Sequence, residues 1–385
     1  MPYELLGKLR DAGPLIRTSG GPWLVLGYDL ARSVLRDARF SRSRAAADTL
    51  PSFIDPGRAA EIWTTKMVSS DGEAHRRLRL LVAKTFSPKA VGRWRPVAEM
   101  RANEILDEVV PLGGMEAVED YAYPLPEHVI CTLLGVPVSD RVLFERWTEA
   151  IQNRVVTGAG VGERRTAAAN AILEFTEYLA GVVDAHEPDP EGDLLSQLAH
   201  AQEEGSRLSR EELVTVAMEI IIGGHDTTAN LIANAIYELA RHPDLFAAAR
   251  AGGFTVEQFI EELLRARSPV QLSLTRVATE SMELAGETIA EGDVLMVSLA
   301  SANRDPAIFA RGDTFDPCDA VEKHMGFGHG PHYCLGSNLA RLEAQVAIGA
   351  LLERVETLRL TESEADLPWR DGSLVVAPAR LPVSW

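Results

Sequence analysis

Residues 209–241 restrict the folding of this chain more than any other stretch. Apolar side chains recur there at three- and four-residue spacing, Ser209 and Glu212 form the pattern of a capping box, and Arg241-His242-Pro243 supplies a stop. A helix of about 32 residues is ~48 Å long. It has to cross the molecule from side to side, with the rest of the chain packed around it. Yet its middle, EIIIGGHDTTANLI, is ill-suited to that task. Each glycine of Gly223-Gly224 costs up to ~1 kcal/mol in a helix interior, and Asp226-Thr227 places a carboxyl and a hydroxyl where burial is expected. Such residues add nothing to the stability of a core helix.

The other periodic stretches, 88–110, 142–158, 165–186 and 339–355, are also expected to be helices. Residues 14–29 have two short apolar runs around Ser19-Gly20-Gly21 and read as a β-hairpin, and the alternation over 282–299 reads as two short strands. No repeat, low-complexity tract or flexible linker divides the chain, so one mainly α domain over residues 1–385 is expected. Acidic residues outnumber basic ones by 56 to 38, and the net charge of −18 excludes nucleic acid or an anionic membrane as a partner of the surface as a whole. The odd set Cys131, Cys318 and Cys334 suits a reducing compartment, and residues 1–21 show neither a spanning run nor a leader pattern. A cytoplasmic location is expected.

Gly326 to Gly336 reads GFGHGPHYCLG and runs straight into the helical pattern that follows. Glycines at 326, 328, 330 and 336 allow a tight loop with positive φ angles and let backbone approach a flat ligand closely. Cys334 stands just before a helix N-terminus, where partial positive charge and free N–H groups stabilise a thiolate, as a thiolate ligand of haem iron requires. The loop by itself also accommodates a structural thiol, or a zinc site built from His324, His329, His332 and Cys334, although their spacing fits no common paired-ligand motif.

The pattern Phe327-Gly328-x-Gly330-x-His332-x-Cys334-x-Gly336 resembles the haem-binding signature of cytochromes P450. His75-Arg76-Arg77-Leu78-Arg79 is similar to the family's propionate-binding helix, Gly223-Gly224-His225-Asp226-Thr227-Thr228 to its oxygen-activating helix, and Glu262-Leu263-Leu264-Arg265 to its ExxR motif. These segments stand in the family's order and span most of the chain. The resemblance implies a single-domain, mainly α cytochrome P450 fold with small β-sheets and a long central helix crossing over the haem. It implies haem b (iron protoporphyrin IX) held by His75, Arg79, Gly223, Arg276, Phe327, Gly328, His332, Cys334 and Gly336, with Cys334 as the iron ligand. Glu262 and Arg265 become a buried structural pair, and Asp226 and Thr227 the acid and alcohol that deliver protons to the distal oxygen. Their presence separates the chain from relatives that use peroxide, and argues against a non-catalytic haem sensor or carrier.

The implied activity is a monooxygenase reaction, hydroxylation or epoxidation of a small organic substrate by O₂, in bacterial secondary metabolite biosynthesis. A ferredoxin-type electron donor with its reductase is the implied partner. Its expected dock is the stretch from His75 to Arg101, where Arg76, Arg77, Arg79, Lys84, Lys89, Arg93, Arg95 and Arg101 face the lone acid Glu99. Glu219 shares the face of Gly223 and Thr227 at i+4 spacing, the face expected to line the substrate cavity. A carboxylate there either pairs within the protein or, with Gln271 and Ser273 before Arg276, contacts an amine-bearing substrate.

Overall fold

The long helix forms as two halves. The computed structural model describes residues 3–19, 21–49, 57–152, 161–185, 192–203, 205–319, 323–370 and 375–385. In it Arg210–Gly224 and Asp226–Arg241 are separate helices that meet at His225, and Ser209 and Glu212 close the reciprocal capping box at the start. The interruption has a local cause. Three side chains take helix carbonyls four residues back: His225 Nδ1 donates to Ile221 O at 2.8 Å, Thr227 Oγ1 to Gly223 O at 2.6 Å and Asn230 Nδ2 to Asp226 O at 2.6 Å. Such back-bonding bends helices, and Gly223-Gly224 offers little propensity to resist it.

The second half is the centre of the core, with every residue except Thr227 and Arg241 buried. Its buried polar groups are tied to chain that lies far off in sequence. Asn234 Nδ2 donates to the carbonyls of Arg267 and Val376, and Glu238 pairs with Arg267 at 2.6 Å. Around it pack Pro124–Leu134 and Ser337–Arg354, and Val161–Ala185 packs on the first half. Helix Arg141–Gln152 is fixed to Val161–Ala185 by Trp147 stacking on Phe175, with ring centres 4.9 Å apart. Residues 153–158 and 186 of the expected helices lie outside the described residues. The expected helix at 88–110 is divided by a tight turn at Gly92–Trp94 into Pro88–Val91 and Arg95–Val109, and Pro96 opens the second piece.

A five-stranded sheet stands beside this helical body. Its order is Leu15–Arg17, Trp23–Val25, Val294–Val297, Arg276–Ala278 and Phe40–Ser41. The first two strands are the expected antiparallel hairpin, with Leu15 opposite Val25. The stretch 282–299 gives three strands instead of two, Met282–Leu284, Glu287–Ile289 and Val294–Val297, because Glu291-Gly292 makes a second turn closed by Asp293 N–H on Ala290 O. Pairing of Ser41 with Val277 brings the chain at Arg42 beside Arg276, which sets up the charge cluster described below. Among the described residues no helix is long and apolar enough to cross a membrane.

Candidate active site

Cys334 ends a loop whose shape is fixed by close backbone contacts. The Cys334 N–H donates to Phe327 O at 3.0 Å, and Gly328 and Gly330 take φ of 74° and 75°. A Cβ on Gly326 would stand 2.5 Å from Leu264 O, and one on Gly330 2.6 Å from Leu35 O, so the loop is pressed against two other segments. Gly336 differs from expectation. It keeps an ordinary negative φ at the head of helix Ser337–Arg354, and its N–H bonds the Cys334 sulfur. Burial pushes the Cys334 thiol up, opposed by that N–H and by Arg79 and Arg341. Phe327 lies under the Arg341 guanidinium at 4.6 Å and edge-on to Tyr333.

Next to this loop is an unusual gathering of arginine and histidine side chains. The rings of His75 and His332 are 4.1 Å apart, and Arg79 is close enough to interact with both His75 and Cys334. Arg276 and Arg42 are buried together. Burial and the neighbouring Arg276 lower Arg42 to about 10, and burial likewise lowers Arg276 and Arg79. His75 is brought down to about 4 by burial, His332 and Arg79. The acid that interacts with this group is Asp71, which approaches His332 Nε2 at 3.6 Å and accepts hydrogen bonds from the Ser41 hydroxyl and the Ser43 N–H. Against burial, which raises it, these bonds hold the Asp71 carboxyl well below the usual range. Arg276 Nε is buried without a partner.

The helix break forms the other part of the site. A Cβ on Gly223 would meet nothing within 4 Å, so open space lies beside the helix there, and the half-buried Thr227 hydroxyl is one turn further along. The Asp226 carboxylate has a set of partners that the sequence did not reveal. Its Oδ1 accepts from Tyr123 OH at 2.5 Å and from Arg370 Nη1 at 2.8 Å, while Oδ2 is buried and unpaired. Against burial, Arg370 and Tyr123 keep its pKa low, so it is a carboxylate at neutral pH.

Glu262 and Arg265 are 1% and 4% exposed and form a bidentate pair at 2.7 and 2.8 Å. The guanidinium also donates to the carbonyls of Asn303, Gly312 and Thr314, and Glu262 accepts from the Asp316 N–H. The four residues of the zinc alternative turn to different places. His324 binds Glu261, His332 faces Asp71, Cys334 meets Gly336, and His329 Nε2 has no partner.

Of Glu219, Gln271 and Ser273, Glu219 is committed to partners within the protein, while Gln271 Oε1 is buried without one. Glu219 Oε1 and Oε2 accept the backbone N–H groups of Val68 and Met67 at 2.9 and 3.2 Å, and the buried Lys66 supplies the nearby positive charge. Its carboxylate is used to hold the turn Met67–Ser69 against the helix. Gln271 donates to Ser268 O at 2.6 Å, and the Ser273 hydroxyl donates to Leu274 O and accepts from the Val297 N–H. The helical pattern identified the face of Glu219 but not the loop that meets it.

The basic stretch is partly covered, because acids within it, beside it and from further along the chain pair with most of its cations. Arg77 pairs with Glu212, Lys84 with Glu203, Arg76 with Glu73, Arg95 with Glu99 and Arg101 with Glu104, while Arg79 turns inward. Lys89 and Arg93 stay exposed. Asp71, Arg42, Tyr123 and Arg370 are the site residues that sequence reasoning missed. Only Asp71 had a signal, as the residue that begins the His75 helix.

Comparison with known proteins places these features in a family context. A family profile described as Cytochrome P450 matches residues 165–251 and 255–383. The chain is 39% identical to the cytochrome P450 monooxygenase PikC of Streptomyces venezuelae, over 100% of this chain and 91% of that one. It is 31% identical to the polyketide biosynthesis cytochrome P450 PksS of Bacillus subtilis, over 100% and 95%. Among solved structures it is similar to CalO2, with a TM-score of 0.92, 32% identity, and coverage of 100% and 96%.

Proposed function

The chain belongs to the cytochrome P450 family, and from that premise we propose how its own residues serve the reaction. It is a monooxygenase with haem-thiolate iron, and it works with O₂, a redox partner and an organic substrate. The observation that carries the residue assignments is the cation cluster. The arginines Arg42 and Arg276 lie beside Asp71, the acid of this group among the described residues, with His75 and His332, both lowered by burial, and Arg79 lies beside His75 and Cys334, while the buried Arg276 Nε is unpaired. Buried cations need matching anions. The two propionates of haem b fit this need, and a flat macrocycle suits the open face of Gly223 on one side and Cys334 on the other. Haem iron, when bound, supplies the centre that binds O₂ and supports cleavage of its O–O bond.

On this reading Cys334 holds the iron, with its thiolate charge supported by the Gly336 N–H. Thr227 offers a hydroxyl beside the open space, and its own proton rests on Gly223 O. Asp226 takes protons from the solvent side, where the partly exposed Arg370 reaches its carboxylate, and passes them toward Thr227. Glu262 and Arg265 keep the Cys334 loop in place through Asn303, whose Oδ1 accepts the Met325 N–H. The substrate is a small organic molecule of natural-product biosynthesis, a reading supported by the PksS relative. The location is cytoplasmic.

Replacing Thr227 by alanine is expected to leave the haem spectrum and the fold intact while releasing several-fold more hydrogen peroxide per electron pair consumed, because protons no longer arrive in order. Peroxide release and NADPH consumption, measured with a surrogate ferredoxin and reductase, check this. Equal release in variant and parent would remove Thr227 from the relay.

The electron donor is a ferredoxin-type protein that docks where Lys89 and Arg93 remain free of the acids that cover their neighbours. Arg93→Glu is expected to slow reduction several-fold at low ionic strength and to have little effect at high salt, where the field is screened. Arg77 is a poorer probe, since its pair with Glu212 involves the capping residue of the central helix. Stopped-flow reduction across a salt series gives the answer, and an Arg93→Glu rate equal to the parent's at low salt would move the dock elsewhere.

A further inference from the structure

Helix Pro124–Leu134 presents two protonatable groups to the break in the central helix. Tyr123, at its head, donates to Asp226, and Glu127, one turn later, is buried at 5% exposure among Ile130, Phe144, Ile221 and His225. Nothing in the reading above uses Glu127. Apolar residues would fill this crevice at no desolvation cost, and a buried carboxyl is expensive unless it keeps its proton. Glu127 Oε1 meets no donor, and the carboxyl lies within hydrogen-bonding reach of Glu145, an exposed residue of helix Arg141–Gln152. Two carboxyls in such contact share a proton. The other titratable or charged groups around the crevice are Arg141, Asp140, Cys131, His225 and Asp226. Burial is the main cause that raises Glu127 to about 8, followed by Glu145, with Arg141 opposing and Asp226 adding to it.

We propose that Glu127 and Glu145 form a second proton inlet to the helix break, separate from the Tyr123–Asp226–Arg370 contact. Glu145 exchanges protons with solvent and reloads Glu127. The Glu127 O–H bond breaks on the crevice side and the proton forms a new O–H bond on Asp226 Oδ2, which is buried without a donor, leaving Glu127 as a carboxylate until Glu145 reloads it. Both residues are positioning residues that act through Asp226, so the inlet rests on the relay proposed above.

Infrared spectroscopy of the haem-loaded protein tests the pair directly. A protonated-carboxyl band, sensitive to D₂O, should titrate with a midpoint near pH 8, be absent from Glu127→Gln, and shift to lower pH in Glu145→Gln, where the like charge is gone. Glu343, also buried and held neutral by burial, supplies a band that does not titrate in that range. With a saturating surrogate ferredoxin and reductase, O₂ consumption by the parent should fall through pH 8. Glu127→Gln should be slower by several-fold at pH 7, lose that pH limb and show a larger solvent isotope effect. A titrating band with an unchanged pH profile in Glu127→Gln overturns the inlet, as does the absence of the band. Failure of the Thr227→Ala prediction would instead strike the relay and leave the Glu127 band where it is.

Discussion

In Cys334→Ser the Soret band of the reduced carbon monoxide complex is expected to move to shorter wavelength, where haem with a neutral axial ligand absorbs. Serine keeps the size of the side chain and can receive the same Gly336 N–H, but its hydroxyl does not ionise at neutral pH, so electron donation to the iron is lost. The loop should survive the change, since its path is set by Gly328, Gly330 and the Cys334 N–H on Phe327 O, none of which involves sulfur. O₂-dependent turnover should fall by about two orders of magnitude or more, equivalent to ~3 kcal/mol of barrier. Spectra of the parent and variant, recorded at equal haem content, decide the matter. An unchanged Soret position would assign the iron to another residue.

Arg265→Ala is expected to cost about 3–5 kcal/mol of folding stability, the range for stranding one member of a buried ion pair. The loss would be broad in origin. It leaves the Glu262 carboxylate at 1% exposure with the Asp316 N–H as its remaining donor, and frees the carbonyls of Asn303, Gly312 and Thr314. Against a typical net stability of ~5–15 kcal/mol this is a large fraction. Arg265→Lys should recover only part of it, because an ammonium keeps the charge but cannot match the bidentate fork or reach all three carbonyls. Urea unfolding of the haem-loaded proteins gives the values. A loss below about 1 kcal/mol in Arg265→Ala would contradict a structural role for the pair, since surface ion pairs have that magnitude.

What could be read from the sequence was mostly local. The Cys334 loop was legible because glycine spacing and a following helix are written within a few residues, and the Ser209–Glu212 cap for the same reason. Gly223-Gly224 and Asp226-Thr227 stood out as unsuited to a core helix, but not as a division into two, because that depends on side-chain rotamers choosing carbonyls four residues back. The partners of Asp226 were hidden by distance along the chain, 103 residues to Tyr123 and 144 to Arg370. Glu219 shows the same limit. Helical periodicity gave its direction, and the backbone of Met67 and Val68, 152 and 151 residues away, decided its use. The basic stretch misled for the converse reason: counting charges within it could not include Glu203 and Glu212, which arrive from the central part of the chain.

The cation cluster has a consequence for how the protein is made in a cell. On the proposed reading, Arg42 and Arg276 are desolvated beside one another with Asp71 as the opposing charge, so the fold without haem carries self-repulsion that the propionates would relieve. A ligand that binds only the folded chain stabilises it in proportion to the logarithm of its free concentration over its dissociation constant. The amount of intact protein is therefore coupled to porphyrin and iron supply. A host that translates the chain faster than it delivers haem accumulates the less stable form, which quality-control proteases remove first.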